Sequence, residues 1–336
     1  MSQEPPLPSA PLPAPPAGLP PAPVWPWLRY VPSCWHVYPP PPWWPPYPPP
    51  LWYASAPAPP RIWTVYLAWL AALGGMVAGG MVLGVVYVFS TNTAGQGVAD
   101  ISRLAAFLMS FWGLTFLFLG NLLSTGSTSL IAAALSPTPL RRRLAFAVPA
   151  IGWPSILALA IATTAVGHCV GMLMHLLRIQ AHGSMIDLMQ SLANLSTAEQ
   201  LAMLAMIGLL VPITEELLFR GYIQTRLVER HGPLPGILIT SALFGLMHMN
   251  LYQSPATFFL GLVLGFAAWY GRSVIPAIAG HMVNNTIAVG LTLLSDPETA
   301  PSRQLALIWL LASALLVLLG MAFTLHRGRR RIESAA

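Results

Sequence analysis

From Arg61 onward the chain alternates long apolar runs with short polar breaks. A helix needs about 20 residues to cross a hydrocarbon core of roughly 30 Å. Eight runs meet or approach that length, at 63–89, 104–124, 147–176, 200–219, 234–252, 255–271, 274–295 and 304–325. In lipid, each backbone N–H and C=O must find its partner inside the protein, so each run predicts a helix. The expected fold is all-α, a polytopic membrane bundle of about eight transmembrane helices. Residues 1–60 break the pattern. They hold 24 of the 35 prolines, and their second half adds ten Trp and Tyr residues from Trp25 to Tyr53. Such a stretch cannot form helix or sheet, so a disordered, partly polyproline II arm is expected.

Composition agrees with this pattern. The chain is 55% hydrophobic and 8% charged, against about 25% charged residues in soluble domains. All 16 basic residues are arginine, which with the heavy use of Ala, Pro and Gly reads as a GC-rich bacterial origin. The net charge of +6 is not a nucleic-acid signal, because the arginines gather between the apolar runs. With the N-terminus cytoplasmic, the arm, the inner loops and the C-terminal tail hold 13 arginines. Only Arg103, Arg178 and Arg303 fall outside. The positive-inside rule therefore predicts a multi-pass cell-membrane protein with both termini cytoplasmic. Cys34 and Cys169 lie in different settings and suggest neither a disulfide framework nor a cysteine metal site.

Within the apolar runs, a polar set stands out between residues 212 and 285. Glu215 and Glu216 end the fourth run and are followed by Arg220. A charge at bilayer depth costs at least about 2.5–3.5 kcal/mol, so a functional reason is the default expectation. An ion pair at i,i+4 accounts for Glu216 with Arg220 and leaves Glu215 unexplained. Phe244-Gly-Leu-Met-His248 closes the fifth run, and His281-Met-Val-Asn284-Asn285 lies in the seventh. His281 and Asn285 share one helix face. Consecutive glutamates are about 100° apart, so one can face a chamber while the other pairs with Arg220.

Such residues can hydrolyse a peptide without a covalent enzyme intermediate. Glu215 would act as general base, with His248 sharing or orienting the water. The His281 ring N–H and the Asn285 amide would stabilise the developing oxyanion. The same side chains also allow a zinc site of Glu215, His248 and His281 with an open position for water. No His-Glu-x-x-His motif supports that zinc reading. His168 and His175 read instead as core histidines of the third run, with no carboxylate beside them.

Glu-Glu-x-x-x-Arg, Phe-x-x-x-His and His-x-x-x-Asn, in this order on successive runs, resemble the CPBP family. Its members are CAAX prenyl endopeptidases of the Ras-converting type, bacteriocin-processing proteins and Abi-like relatives. Leu218-Phe-Arg-Gly-Tyr222, Gly261-Leu-Val-Leu-Gly265 and Ser273-Val-Ile-Pro-Ala277 add to the match, which covers roughly 200–290. The resemblance implies an intramembrane endopeptidase with Glu215 as base and His248 activating water. His281 and Asn285 would serve the oxyanion, with Glu216 and Arg220 supporting. It favours no cofactor, with zinc as the alternative. The chain then divides into the arm (1–60), accessory helices (61–199), a catalytic core (200–295) and a last helix with a basic tail (296–336).

The expected partners are a membrane-associated or prenyl/CAAX-like peptide substrate, the lipid bilayer and a proline-motif-binding protein for the arm; no nucleic acid is expected. A non-catalytic membrane scaffold or immunity protein is the alternative function. One geometric difficulty accompanies the protease reading. Glu215 lies about five residues from the end of its run, whereas His248 lies about 21 Å into the next. A cytoplasmic helical hairpin over residues 221–233 would reconcile them.

Overall fold

The computed structural model describes residues 60–91, 98–179, 184–294 and 301–333. The proline-rich arm and Cys34 lie outside these residues. The described residues form helices and no strands. In chain order these are α1 (Trp63–Ser90), α2 (Val98–Leu108), α3 (Phe111–Ala134), α4 (Leu140–Arg143), α5 (Trp153–Leu176) and α6 (Ser184–Ala193). They continue with α7 (Thr197–His231), α8 (Pro233–Met247), α9 (Gln253–Gly271), α10 (Ile275–Leu294) and α11 (Arg303–Glu333). Seven of them (α1, α3, α5, α7, α9, α10 and α11) are long and apolar enough to cross a membrane, and α8 is a shorter apolar helix of 15 residues. The all-α membrane bundle expected from the apolar runs is the observed architecture.

The second run differs in its bounds. Its helix breaks at Ser110, whose hydroxyl accepts from the Gly113 N–H at 3.3 Å and caps α3. α3 then continues to Ala134 through a polar stretch that reads as a loop. Its hydroxyls are satisfied within the bundle. Thr125 and Ser129 donate to the carbonyls of Asn121 and Gly126, and Ser124 donates across to the Ala72 carbonyl of α1 at 2.7 Å. Small polar residues of this kind let helices approach where no hydrophobic force drives them together.

α5 lies against α9, α10 and α11. The contacts fall at glycines: a Cβ at Gly280 would come 3.0 Å from Thr163 Oγ1, and one at Gly320 would come 2.7 Å from the Ala158 carbonyl oxygen. On the other side, α1 and α3 pack on α7, and Trp69 of α1 donates to the Leu243 carbonyl of α8 at 2.9 Å. Leu218, Phe219, Ile223, Phe244 and Leu264 join these helices in one buried cluster.

The fourth run is much longer than its apolar part. α7 is opened by Glu199, which accepts from the Ser196 N–H at 2.9 Å, and it continues to His231. Gly232 then turns the chain with φ 88°, a left-handed value that favours glycine. α8 returns directly along α7. This arrangement resolves the geometric difficulty without a separate hairpin over 221–233. At 1.5 Å per residue, Glu215 lies about 24 Å up α7 from His231, and His248 about 22 Å up α8 from Pro233. Both side chains therefore reach the same level. α8 is too short to go further, and the turn after His248 lies at this depth, with Met249 and Leu251 exposed.

The antiparallel pair depends on Gly236. A Cβ there would lie 2.7 Å from the Val228 backbone nitrogen and 2.9 Å from its Cα, neither of which can rotate away. Gly236→Ala is expected to destabilise the protein by about 1–3 kcal/mol, despite the better helix propensity of alanine. Thermal unfolding in detergent measures this, and an unchanged melting temperature would contradict the tight approach.

Candidate active site

The site begins with a distortion of α7. Two segments, Met206–Leu210 and Leu217–Ile223, are wound more widely than an α-helix. Wide turns of this kind occur mostly as single insertions at functional sites. The first has a visible cause and consequence. Val211 N–H bonds to the Met206 carbonyl, five residues back, instead of to Ile207. The next donor that Ile207 could use on the wide pattern is at position 212, which is proline and has no N–H. The orphaned Ile207 carbonyl instead accepts from Asn285 Nδ2 at 3.2 Å. Asn285 Oδ1 in turn accepts from Asn284 Nδ2 at 3.0 Å.

Between the wide turns, Glu215 and Glu216 point in different directions. Glu216 is fully buried, with Oε1 2.6 Å from Arg220 Nη1 and 2.8 Å from His281 Nδ1. A carboxylate only accepts, so His281 carries a proton on Nδ1. Arg220 is equally buried. Its Nη2 donates to the Gly261 carbonyl of α9 at 3.2 Å, and its guanidinium lies 4.6 Å from the Phe244 ring centroid. One turn further on, Gln224 donates to the Gly265 carbonyl at 2.9 Å. The Gly261 and Gly265 pair thus has a physical role: without side chains, α9 presents its carbonyls to donors from α7.

Glu215 faces elsewhere. It retains 8% exposure, against none for Glu216. Its Oε1 accepts from Asn121 Nδ2 of α3 at 3.1 Å, and its Oε2 lies 3.9 Å from His281 Nε2. His281 therefore sits between the two glutamates, one on each ring nitrogen.

His248 ends α8 with Nδ1 3.0 Å from the Phe244 carbonyl, its own helix four residues back. The carbonyl can only accept, so Nδ1 holds the proton there and, in the neutral ring, Nε2 is left as an acceptor. Its ring meets Phe244 edge-on at 5.1 Å, and His281 meets the same ring at 5.6 Å. Phe244 thus touches both imidazoles and Arg220, and Phe219 packs on it at 5.0 Å. The first residue of the Phe-x-x-x-His motif is the apolar post around which the polar groups are arranged.

The structure brings Glu215, Glu216, Arg220, His281 and His248 into one cluster. Asn285 stands one helical turn beyond His281, bonded to the Ile207 carbonyl. His175 donates to the Pro301 carbonyl at 3.1 Å and His168 meets Trp309 edge-on, both outside this cluster. Sequence reasoning missed Asn121. The available signal was an amide inside an apolar run, one turn before Thr125.

For the zinc alternative, the donor set does not fit. Among the described residues, no group of three His, Cys, Asp or Glu side chains could hold a metal ion.

No curated protein and no solved structure matches the chain. Residues 197–287, which run from the start of α7 into α10 and contain the three ordered motifs, match the family model described as type II CAAX prenyl endopeptidase, Rce1-like. Over these residues the chain is thus similar to the CAAX-protease family of membrane endopeptidases.

Proposed function

We propose that the chain hydrolyses a peptide bond of a membrane-associated substrate, with Glu215 as the general base. The observation that carries this reading is the division of labour between two adjacent glutamates. Glu216 is sealed and spent on Arg220 and His281, whereas Glu215 keeps access from outside and an oxygen turned toward His281 Nε2. In this scheme Glu215 takes a proton from water as the water oxygen attacks the carbonyl carbon. His248 Nε2, as an acceptor, holds the second water proton and fixes the orientation of the oxygen. The oxyanion forms near His281 and Asn285. His281 serves it only with a proton on both ring nitrogens. Collapse breaks the C–N bond, and the proton on Glu215 passes to the leaving amine.

The membrane orientation is part of the same proposal. His281 lies about 9 Å along α10 from its first residue, close to the end that follows Arg272. Arg143 reaches Glu229 at 3.5 Å, and Arg226 donates to Thr64 at 2.9 Å, so the arginine-bearing ends of α4, α7 and α1 lie together. Cleavage is therefore assigned to the cytoplasmic side, with both termini there.

The decisive comparison is between the membrane peptidomes of cells carrying wild type and cells carrying Glu215→Gln. Peptides cut only by wild type are expected. Identical peptidomes, with a phenotype indifferent to alanine at Glu215 and His248, would favour a scaffold. Metal dependence has its own test. Prolonged chelation is expected to leave cleavage of a farnesylated CAAX-type peptide unchanged, and a loss that zinc restores would overturn the metal-free scheme.

A further inference from the structure

Asn121 lies on α3, outside the residues that match the family, yet it is a direct hydrogen-bond partner of Glu215. Its Nδ2 donates to Glu215 Oε1 at 3.1 Å. The opposite orientation of the amide would set a carbonyl oxygen against a carboxylate, so the contact selects the donor end. The register that brings Asn121 there is fixed one turn away. Thr125 Oγ1 donates to Thr214 Oγ1 at 2.9 Å, next to Glu215 in α7, and a Cβ at Gly126 would lie 3.3 Å from Thr214 Cγ2. Among the described residues Asn121 Oδ1 is buried without a hydrogen-bond partner, so the bond to Glu215 is the one polar contact of this amide there.

We propose that Asn121 is a positioning residue for the base. It holds Oε1 of Glu215 so that Oε2 is the oxygen that faces His281 and receives the proton of water. This rests on the reading of Glu215 as general base. The Glu216–Arg220 pair and the Nδ1 atoms of both histidines are already committed. Glu216 and Arg220 are paired on another face of α7, His281 Nδ1 is bound to Glu216, and His248 Nδ1 is bound to the Phe244 carbonyl. Without Asn121, Glu215 loses its only side-chain donor on the α3 side and is free to rotate about its terminal torsion. The contribution of helices α1–α3 is then more than support: one of them completes the catalytic machinery.

The test uses the purified full-length chain in proteoliposomes, with a fluorogenic farnesylated CAAX peptide as probe. Asn121→Leu is expected to lower kcat by about 10²-fold, the scale set by misplacing a catalytic group, with KM little changed. Asn121→Asp is expected to move the acidic limb of the kcat/KM profile to higher pH, because two carboxylates in contact resist being ionised together. A merely structural role would change stability and leave both the pH profile and the kcat-to-KM split alone. A folded Asn121→Leu with wild-type kcat, or an Asn121→Asp with a wild-type pH profile, overturns the proposal; if the leucine variant fails to fold, the near-isosteric aspartate variant decides. Glu215→Gln is assayed in parallel. If it retains activity, the base reading and this inference both fall; if it is inactive while the Asn121 variants behave as wild type, only this inference falls.

Discussion

Glu215→Gln is expected to lower the cleavage rate by about 10²–10⁴-fold or more, while the protein still inserts and accumulates. The amide has nearly the shape of the carboxylate and can still accept from Asn121 through its one oxygen. What it lacks is a lone pair basic enough to take a proton from water. Glu215 pairs with no arginine and lies 3.9 Å from His281 Nε2, whereas Glu216 carries the close contacts to Arg220 and His281, so the fold depends on Glu215 far less than on Glu216. The change should therefore appear in kcat with unchanged melting temperature in detergent. A fully active Glu215→Gln would remove the general-base role outright.

Arg220→Leu should produce the opposite phenotype, a loss of folded protein. It leaves Glu216 charged, buried and without its cation; breaking one side of a buried ion pair costs about 3–5 kcal/mol. It also takes away the donor to the Gly261 carbonyl and the cation over Phe244, both of which tie α7 to its neighbours. Glu216→Leu with Arg220→Leu in one chain is expected to recover much of that loss, since it removes both charges and keeps the volume apolar. The double variant should remain inactive, because His281 no longer has Glu216 on Nδ1 to set its orientation. Unfolding of the two single variants and the double variant, measured together, checks the coupling. Equal stability of Arg220→Leu and wild type would show that the pair carries no structural load.

Some of this was legible from the chain alone, for a clear reason. Glu215, Glu216, Arg220 and His281 stand out because a charge or an imidazole in lipid is conspicuous on any hydropathy reading, and their spacing already separates the two glutamates. Asn121 was not legible, because one amide in a stretch that also holds Ser124, Thr125, Ser127, Thr128 and Ser129 looks like the end of a helix. The hydroxyls of Ser124, Thr125 and Ser129 bond back to their own helix or across to the next, and so cost little at depth. The end of α7 was misread for the same reason. Arg220, Gln224 and Arg226 look like exit signals, yet the first two give their donors to α9 carbonyls and the third reaches Thr64 and the face of Tyr222. The polarity is internal, and only a neighbouring helix reveals that.

The wide turn at Met206–Leu210 means that residue count, as well as residue identity, aims the reactive carboxylate. The same residues wound as an ordinary α-helix would swing everything downstream by roughly 100°, carrying Glu215 away from its neighbours without altering one motif letter. A homologue shorter by one residue there, wound normally, would keep the same facing, so a one-residue gap at that turn in an alignment marks the widened winding and not a lost site.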